Sequence, residues 1–122
     1  MARYSANDIR SLVQPDRVHR SVYQDPELFA LEMERIFGRT WVYVGHATQV
    51  PGPGDFLCTQ IGLRPVVMTR HGDGQVYVVF NRCAHRGVKV INEVAGNAGK
   101  FMCMYHGWTY DTNGDLDHVT QP

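Results

Sequence analysis

Two cysteines and two histidines stand in a pair of short motifs, Cys83-Ala84-His85 and Cys103-Met104-Tyr105-His106, with seventeen residues between His85 and Cys103. Thiolates and neutral imidazoles are metal ligands, and four of them on two short segments make a metal site. A structural zinc ion accepts this set of ligands. Its usual half-sites pair like with like, Cys with Cys and His with His. Here each half supplies one Cys and one His, and the first half leaves a single residue between them. A [2Fe–2S] cluster of mixed ligation asks for that pairing. One iron takes both thiolates and the other both imidazoles, so each loop needs one Cys and one His close together. On ligand type alone, zinc and a two-iron cluster both stay open.

Loops of this kind need a rigid frame to aim them at each other. From Trp41 onward the chain reads as short strands separated by turns. Candidate strands are residues 41–45, 56–61, 66–70 and 76–80, the last running directly into the first half-site. Pro51-Gly52-Pro53-Gly54-Asp55 and His71-Gly72-Asp73-Gly74-Gln75 are turn clusters. Residues 100–102 lead into the second half-site, 108–110 lead out, and 111–115 form a hairpin turn. Short antiparallel strands with Gly-rich turns predict a mostly β fold, a small antiparallel β-sandwich or barrel.

The first forty residues carry a different pattern. Ser5 can cap a helix from Ala6 to about Val13, with Asp8 in its first turn and Pro15 as the stop. Asp25-Pro26-Glu27 is a second helix start. Phe29, Met33, Ile36 and Phe37 then recur at helical spacing as one apolar face, and Gly38 ends the helix. Residues 1–38 thus read as a short helical arm ahead of a β domain spanning 39–118.

Composition narrows the function. Twelve basic and twelve acidic residues cancel in a chain of 122, without a basic stripe or charge block. Nucleic acid and membrane surfaces are therefore not expected as partners. No apolar run reaches the roughly 20 residues of a membrane span. The first residues hold no apolar signal-peptide core. Three cysteines, two of them in the metal-like pattern, point to a reducing, cytoplasmic setting.

Taken whole, Cys83-Ala84-His85-Arg86-Gly87 and Cys103-Met104-Tyr105-His106-Gly107-Trp108 resemble the Rieske motif. More narrowly they resemble the large (alpha) subunit of bacterial aromatic-ring-hydroxylating dioxygenases; the alternative resemblance is to stand-alone Rieske ferredoxins, electron carriers that usually lack the helical arm and the Arg86-Gly87 and Tyr105/Gly107-Trp108 flanks. Asn81-Arg82, Tyr110, Gly114-Asp115-Leu116, Trp41 and the segment from Pro51-Gly52 to Phe56 fit as well, so the resemblance covers about residues 20–118. It implies one Rieske-type [2Fe–2S] cluster with Cys83, His85, Cys103 and His106 as metal ligands. Arg86, Gly87, Tyr105 and Trp108 would be the flanking cluster-binding residues. It implies two cluster-binding loops with the histidines at the exposed tip. Electrons would come from an NADH-fed reductase, directly or through a ferredoxin. They would pass to a mononuclear Fe(II), in the catalytic domain or a neighbouring alpha subunit of the parent oligomer, for O2-dependent dihydroxylation in aromatic hydrocarbon catabolism. That iron is held by two His and one carboxylate. No D-x2-H-x4-H pattern follows the second half-site, so the expectation is a chain that lacks the catalytic domain, carries electrons and holds no catalytic residue of its own.

Cytochrome bc-type Rieske proteins carry a disulfide between the cluster loops, where this chain has Val88 and Tyr105, and a Ser where it has Trp108. Fewer donors to the sulfurs lower the potential, so the resemblance implies a value near the low end of the range, roughly −150 mV. An oxidised cluster should also acidify its imidazole ligands, giving a potential that falls with pH in the alkaline range. Gly87 and Gly107 read as tight-turn glycines that let backbone N–H groups approach the sulfides. Arg86 reads as a surface charge or a brace for the loops, and Trp108 as packing beside the cluster. His19, His46, His71 and His118 lack ligand spacing, and Cys58 reads as a small apolar strand residue.

Overall fold

The fold is that of a computed structural model, which describes residues 4–119. The chain divides into two compact units, residues 1–42 and 43–122.

The first unit is helical. Ser5 caps α1 (Ala6–Ser11) through a reciprocal capping box with Asp8. This helix ends at Ser11, short of Val13, because Val13–Gln14 (β1) pairs with Arg17–Val18 (β2) in a minute hairpin around Pro15 and Asp16. A further turn of helix, α2 (Ser21–Gln24), precedes α3 (Pro26–Glu32), which Asp25 caps through Glu27 N–H at 2.9 Å.

The expected apolar face is only half covered. Met33 and Phe37 are half-buried, whereas Phe29 and Ile36 are 50% and 51% exposed. Ile36 borders a groove with Ile9, Leu12, Val22, Leu28 and Leu31. A π-helical turn runs over Met33–Phe37.

Residues 41–45 do not form the predicted strand: residues 41–46 are unpaired in any ladder, and Trp41 and Tyr43 are exposed. The alternation of the sequence is real, but no neighbouring strand accepts it.

The second unit is antiparallel β. Its larger sheet has the order β5 (Val76–Phe80), β4 (Arg64–Arg70), β3 (Asp55–Ile61), β6 (Ala95–Asn97). A smaller sheet runs β7 (Lys100–Met102), β8 (Thr109–Asp111), β9 (Leu116–His118). β4 and β3 are the interior strands, and the β4 run Val66-Val67-Met68-Thr69 is buried throughout. Arg70 ends β4 by donating to the carbonyls of Val50 (2.9 Å), Gly74 (2.8 Å) and Ala47 (3.1 Å), which ties three segments together.

The core joins the two sheets. Phe56 of β3 meets Phe101 of β7 edge to face, with ring centroids 5.6 Å apart, and Val67 and Ile91 complete the buried cluster. Truncating a buried aromatic of this kind costs about 3–5 kcal/mol. Cys58 packs against this cluster as a half-buried apolar residue. At the turn before β3, Gly54 has φ +83°, and a Cβ there would lie 2.5 Å from the Ala98 carbonyl oxygen. Only glycine lets the chain pass this close to the segment after β6.

Candidate metal centre

Two loops leave the β frame. The first follows β5 and runs over residues 81–94. The second, residues 103–108, links β7 to β8. Both contain the same backbone turn. The Cys83 carbonyl accepts from Gly87 N–H at 2.7 Å, and Cys83 N–H donates to the Val88 carbonyl at 2.7 Å. In the second loop, Cys103 accepts from Gly107 N–H and donates to the Trp108 carbonyl, each at 2.8 Å. Gly87 and Gly107 hold φ of +75° and +77°. In this left-handed region a side chain would strain the backbone, so both turns depend on their glycines. The two His differ in position within the turn, which is why one motif is C-x-H and the other C-x2-H.

The four sequence-selected ligands come together as two pairs. Cys83 and Cys103 are both 2% exposed, and their thiols lie within hydrogen-bonding reach. His85 and His106 are both exposed, with ring centroids 4.8 Å apart. Thiols therefore lie inward and imidazoles outward. Among the described residues no three of His, Cys, Asp or Glu gather as a single ion would require. The donor set fits a two-iron cluster with one iron on each pair, as mixed ligation demands.

The flanking residues sort by role. Trp108 stacks flat on His85, with centroids 4.6 Å apart and planes 12° from parallel, and its Nε1 is buried with no hydrogen-bond partner among the described residues. Tyr105 is exposed and meets His106 edge-on at 4.4 Å. The Arg86 side chain is exposed. The Arg82 guanidinium lies against the first turn, where a Cβ at Gly87 would be 3.2 Å from its Nε.

Electrostatics favour a thiolate at Cys83. Burial pushes this thiol up, but hydrogen bonds from Tyr110 Oη, the His85 N–H, the Cys103 thiol and the Arg86 N–H outweigh it, and the group sits below its ordinary value. Thiolate is the form that ligates metal. Tyr110 Oη lies 3.3 Å from Cys83 Sγ and accepts from Ala84 N–H at 2.9 Å. Burial and that sulfur raise the Tyr110 hydroxyl, which keeps it protonated and able to donate.

Three of the other histidines have hydrogen-bond partners of their own. His19 Nδ1 meets Ser21 Oγ at 2.9 Å, His46 caps a short 3-10 turn, and His71 Nδ1 meets Thr112 Oγ1 at 2.6 Å from 41 residues away; His118 lies in β9.

The Rieske [2Fe-2S] domain profile matches residues 40–122. This chain belongs to the Rieske [2Fe–2S] domain family. Its Rieske domain implies a [2Fe–2S] cluster. The chain is 46% identical over 103 residues to benzene 1,2-dioxygenase subunit alpha of Pseudomonas putida, covering 84% of this chain and 23% of that protein. It is 43% identical over 121 residues to biphenyl dioxygenase subunit alpha of Paraburkholderia xenovorans, covering 98% and 26%. A crystal structure of naphthalene 1,2-dioxygenase from Rhodococcus sp. bound to indole superposes with a TM-score of 0.81 at 35% identity, covering 93% of this chain and 25% of that one. The chain thus spans about a quarter of the length of the relatives it matches. The mostly antiparallel β frame with a few short helices agrees with this Rieske likeness.

The candidate ligands and the turn glycines carry local sequence signals; Tyr110, Asn81 and Arg82 carry none that assigns them a role. Tyr110 stands 27 residues from Cys83. Tyr110 lies in β8 and reaches the loop after β5 across the fold, and no local spacing signals that.

Proposed function

We propose that this chain is the electron-transfer part of an aromatic-ring-hydroxylating dioxygenase alpha subunit. Residues 39–118 form its Rieske domain, preceded by a helical arm over residues 1–38. The observation that carries the reading is the sorting of ligands within a Rieske-family domain: two buried thiols inward, two exposed imidazoles outward. Cys83 and Cys103 hold one iron, and His85 and His106 the other. When bound, the cluster accepts and passes on one electron at a time.

The chain's own groups prepare that transfer. Backbone N–H groups of His85 and Arg86, with Tyr110 Oη, point at the Cys83 sulfur and stabilise added negative charge there. His85 and His106 present an exposed edge to electron partners. Trp108 fixes the plane of His85 by stacking. The donor is an NADH-fed reductase or its ferredoxin, and the acceptor is a mononuclear iron in a catalytic domain or neighbouring alpha subunit. The setting is the cytoplasm, and no helix among the described residues is long and apolar enough to cross a membrane.

Mixing the purified chain anaerobically with NADH and the reductase and ferredoxin of an aromatic dioxygenase system tests this. The visible absorbance should bleach with NADH. Reduction by dithionite but never by the NADH-fed proteins contradicts the proposed role.

A further inference from the structure

The two loops are closed in different ways. The second is a hairpin loop, with Met102 paired to Thr109 in the β7–β8 ladder, so the sheet itself holds its ends. The first has no such closure. The strands that flank it, β5 and β6, lie at opposite edges of their sheet with β4 and β3 between them.

Asn81 supplies what the ladder does not. Its side chain is 3% exposed. Oδ1 accepts from the N–H groups of Val90 (3.0 Å) and Ile91 (2.9 Å), and Nδ2 donates to the Ile91 carbonyl at 2.7 Å. Nδ2 also lies 3.8 Å from Cys58 Sγ. The Asn81 N–H donates to the Pro65 carbonyl at 2.9 Å, which anchors the residue to β4. One amide thus reproduces the donor–acceptor exchange of a ladder pair across ten residues. Ile91, at the far end, is set in the core beside Phe56, Val67 and Phe101. Everything between these ends belongs to the first half-site: Cys83, His85, and the turn from Cys83 to Val88.

We infer that Asn81 is a positioning residue, the clasp that closes the first cluster loop and so holds the His85 and Arg86 N–H groups on the Cys83 sulfur. The inference rests on the Rieske reading of the site. Other side chains fail for physical reasons. Aspartate loses the donor and sets a carboxylate against the Ile91 carbonyl. Alanine leaves two N–H groups and a carbonyl beside the core unsatisfied, which is costly there.

The test uses the cluster-bearing chain with N81A, N81S and R70A. Arg70→Ala removes three carbonyl bonds elsewhere in the β unit and serves as the control for plain destabilisation. Asn81→Ala should shift the reduction potential negative, lose the cluster several-fold faster to a chelator, and speed hydrogen exchange at Val90 and Ile91. Asn81→Ser should move all three in the same direction by less, and is read alone if N81A does not fold. Arg70→Ala should lower stability and leave the potential unchanged. A potential and a cluster lifetime equal to wild type in the Asn81 variants overturn the clasp, as does an equal shift in R70A. A wild-type chain that holds no iron and sulfide overturns the site reading itself and this role with it.

Discussion

At the scale of single residues, the candidate ligands were legible because their spacing is local. Cys-x-His and Cys-x2-His each put two donors on one turn, and the pairing of one Cys with one His in each half favours two irons over one zinc ion. The groups that tune and hold those ligands were not legible, because they act across the fold. Tyr110 reaches Cys83 Sγ at 3.3 Å from the other sheet, and Asn81 reaches Ile91 from the end of β5. Tyr110 gives the sharpest test at this scale. Its hydroxyl stabilises negative charge on the sulfur and so favours the reduced state. Tyr110→Phe keeps the ring and removes the donor. A hydrogen bond worth about 1 kcal/mol to the reduced state alone corresponds to a negative shift on the order of 40 mV in a one-electron potential. Voltammetry of the two proteins measures it, and an unchanged or raised potential in Y110F contradicts the assigned role.

At the scale of elements, turns and most strands were readable, the edge strands β5 and β7 included, whereas the edge strand β6 was not. The apolar run Val66-Val67-Met68 marks β4 because that strand is buried on both faces. The strand β6 is Ala95-Gly96-Asn97, a composition that carries no β signal. It is a strand because Asp55–Leu57 pairs with it, and because Gly96 leaves room for the Phe56 ring, which a Cβ would meet at 3.0 Å. Residues 41–45 show the converse, a strand pattern without a neighbour to pair it. The seam between β3 and β6 is held in part by Asp55, whose carboxylate accepts from Asn97 Nδ2 at 2.9 Å and from Gly52 N–H at 2.7 Å. These bonds, Asn97 first, hold its pKa below the ordinary carboxylate value. A depressed folded pKa means the contribution is present above the unfolded pKa of about 3.9 and is lost as pH falls through the folded value. Wild type should therefore lose denaturant resistance between about pH 5 and about pH 3 more steeply than D55N, which lacks this titration. Chemical denaturation of both proteins at the two pH values checks it, and parallel losses would show that Asp55 contributes no such term.

At the scale of the whole molecule, the chain is two units of unlike construction. No described residue of the helical unit is buried, whereas the β unit has a continuous core between its sheets. That core explains why the β frame can hold two loops in fixed relation. The π-helical turn at Met33–Phe37 has no sequence signature of the kind a capping box provides. The family match and the sorting of thiols inward and imidazoles outward converge on one central claim, that this chain binds a two-iron cluster and not a single metal ion. Quantifying iron, acid-labile sulfide and zinc in the chain purified without air tests that claim most directly. The [2Fe–2S] assignment predicts two iron and two sulfide per chain; zinc bound in equimolar amount with no labile sulfide would contradict it.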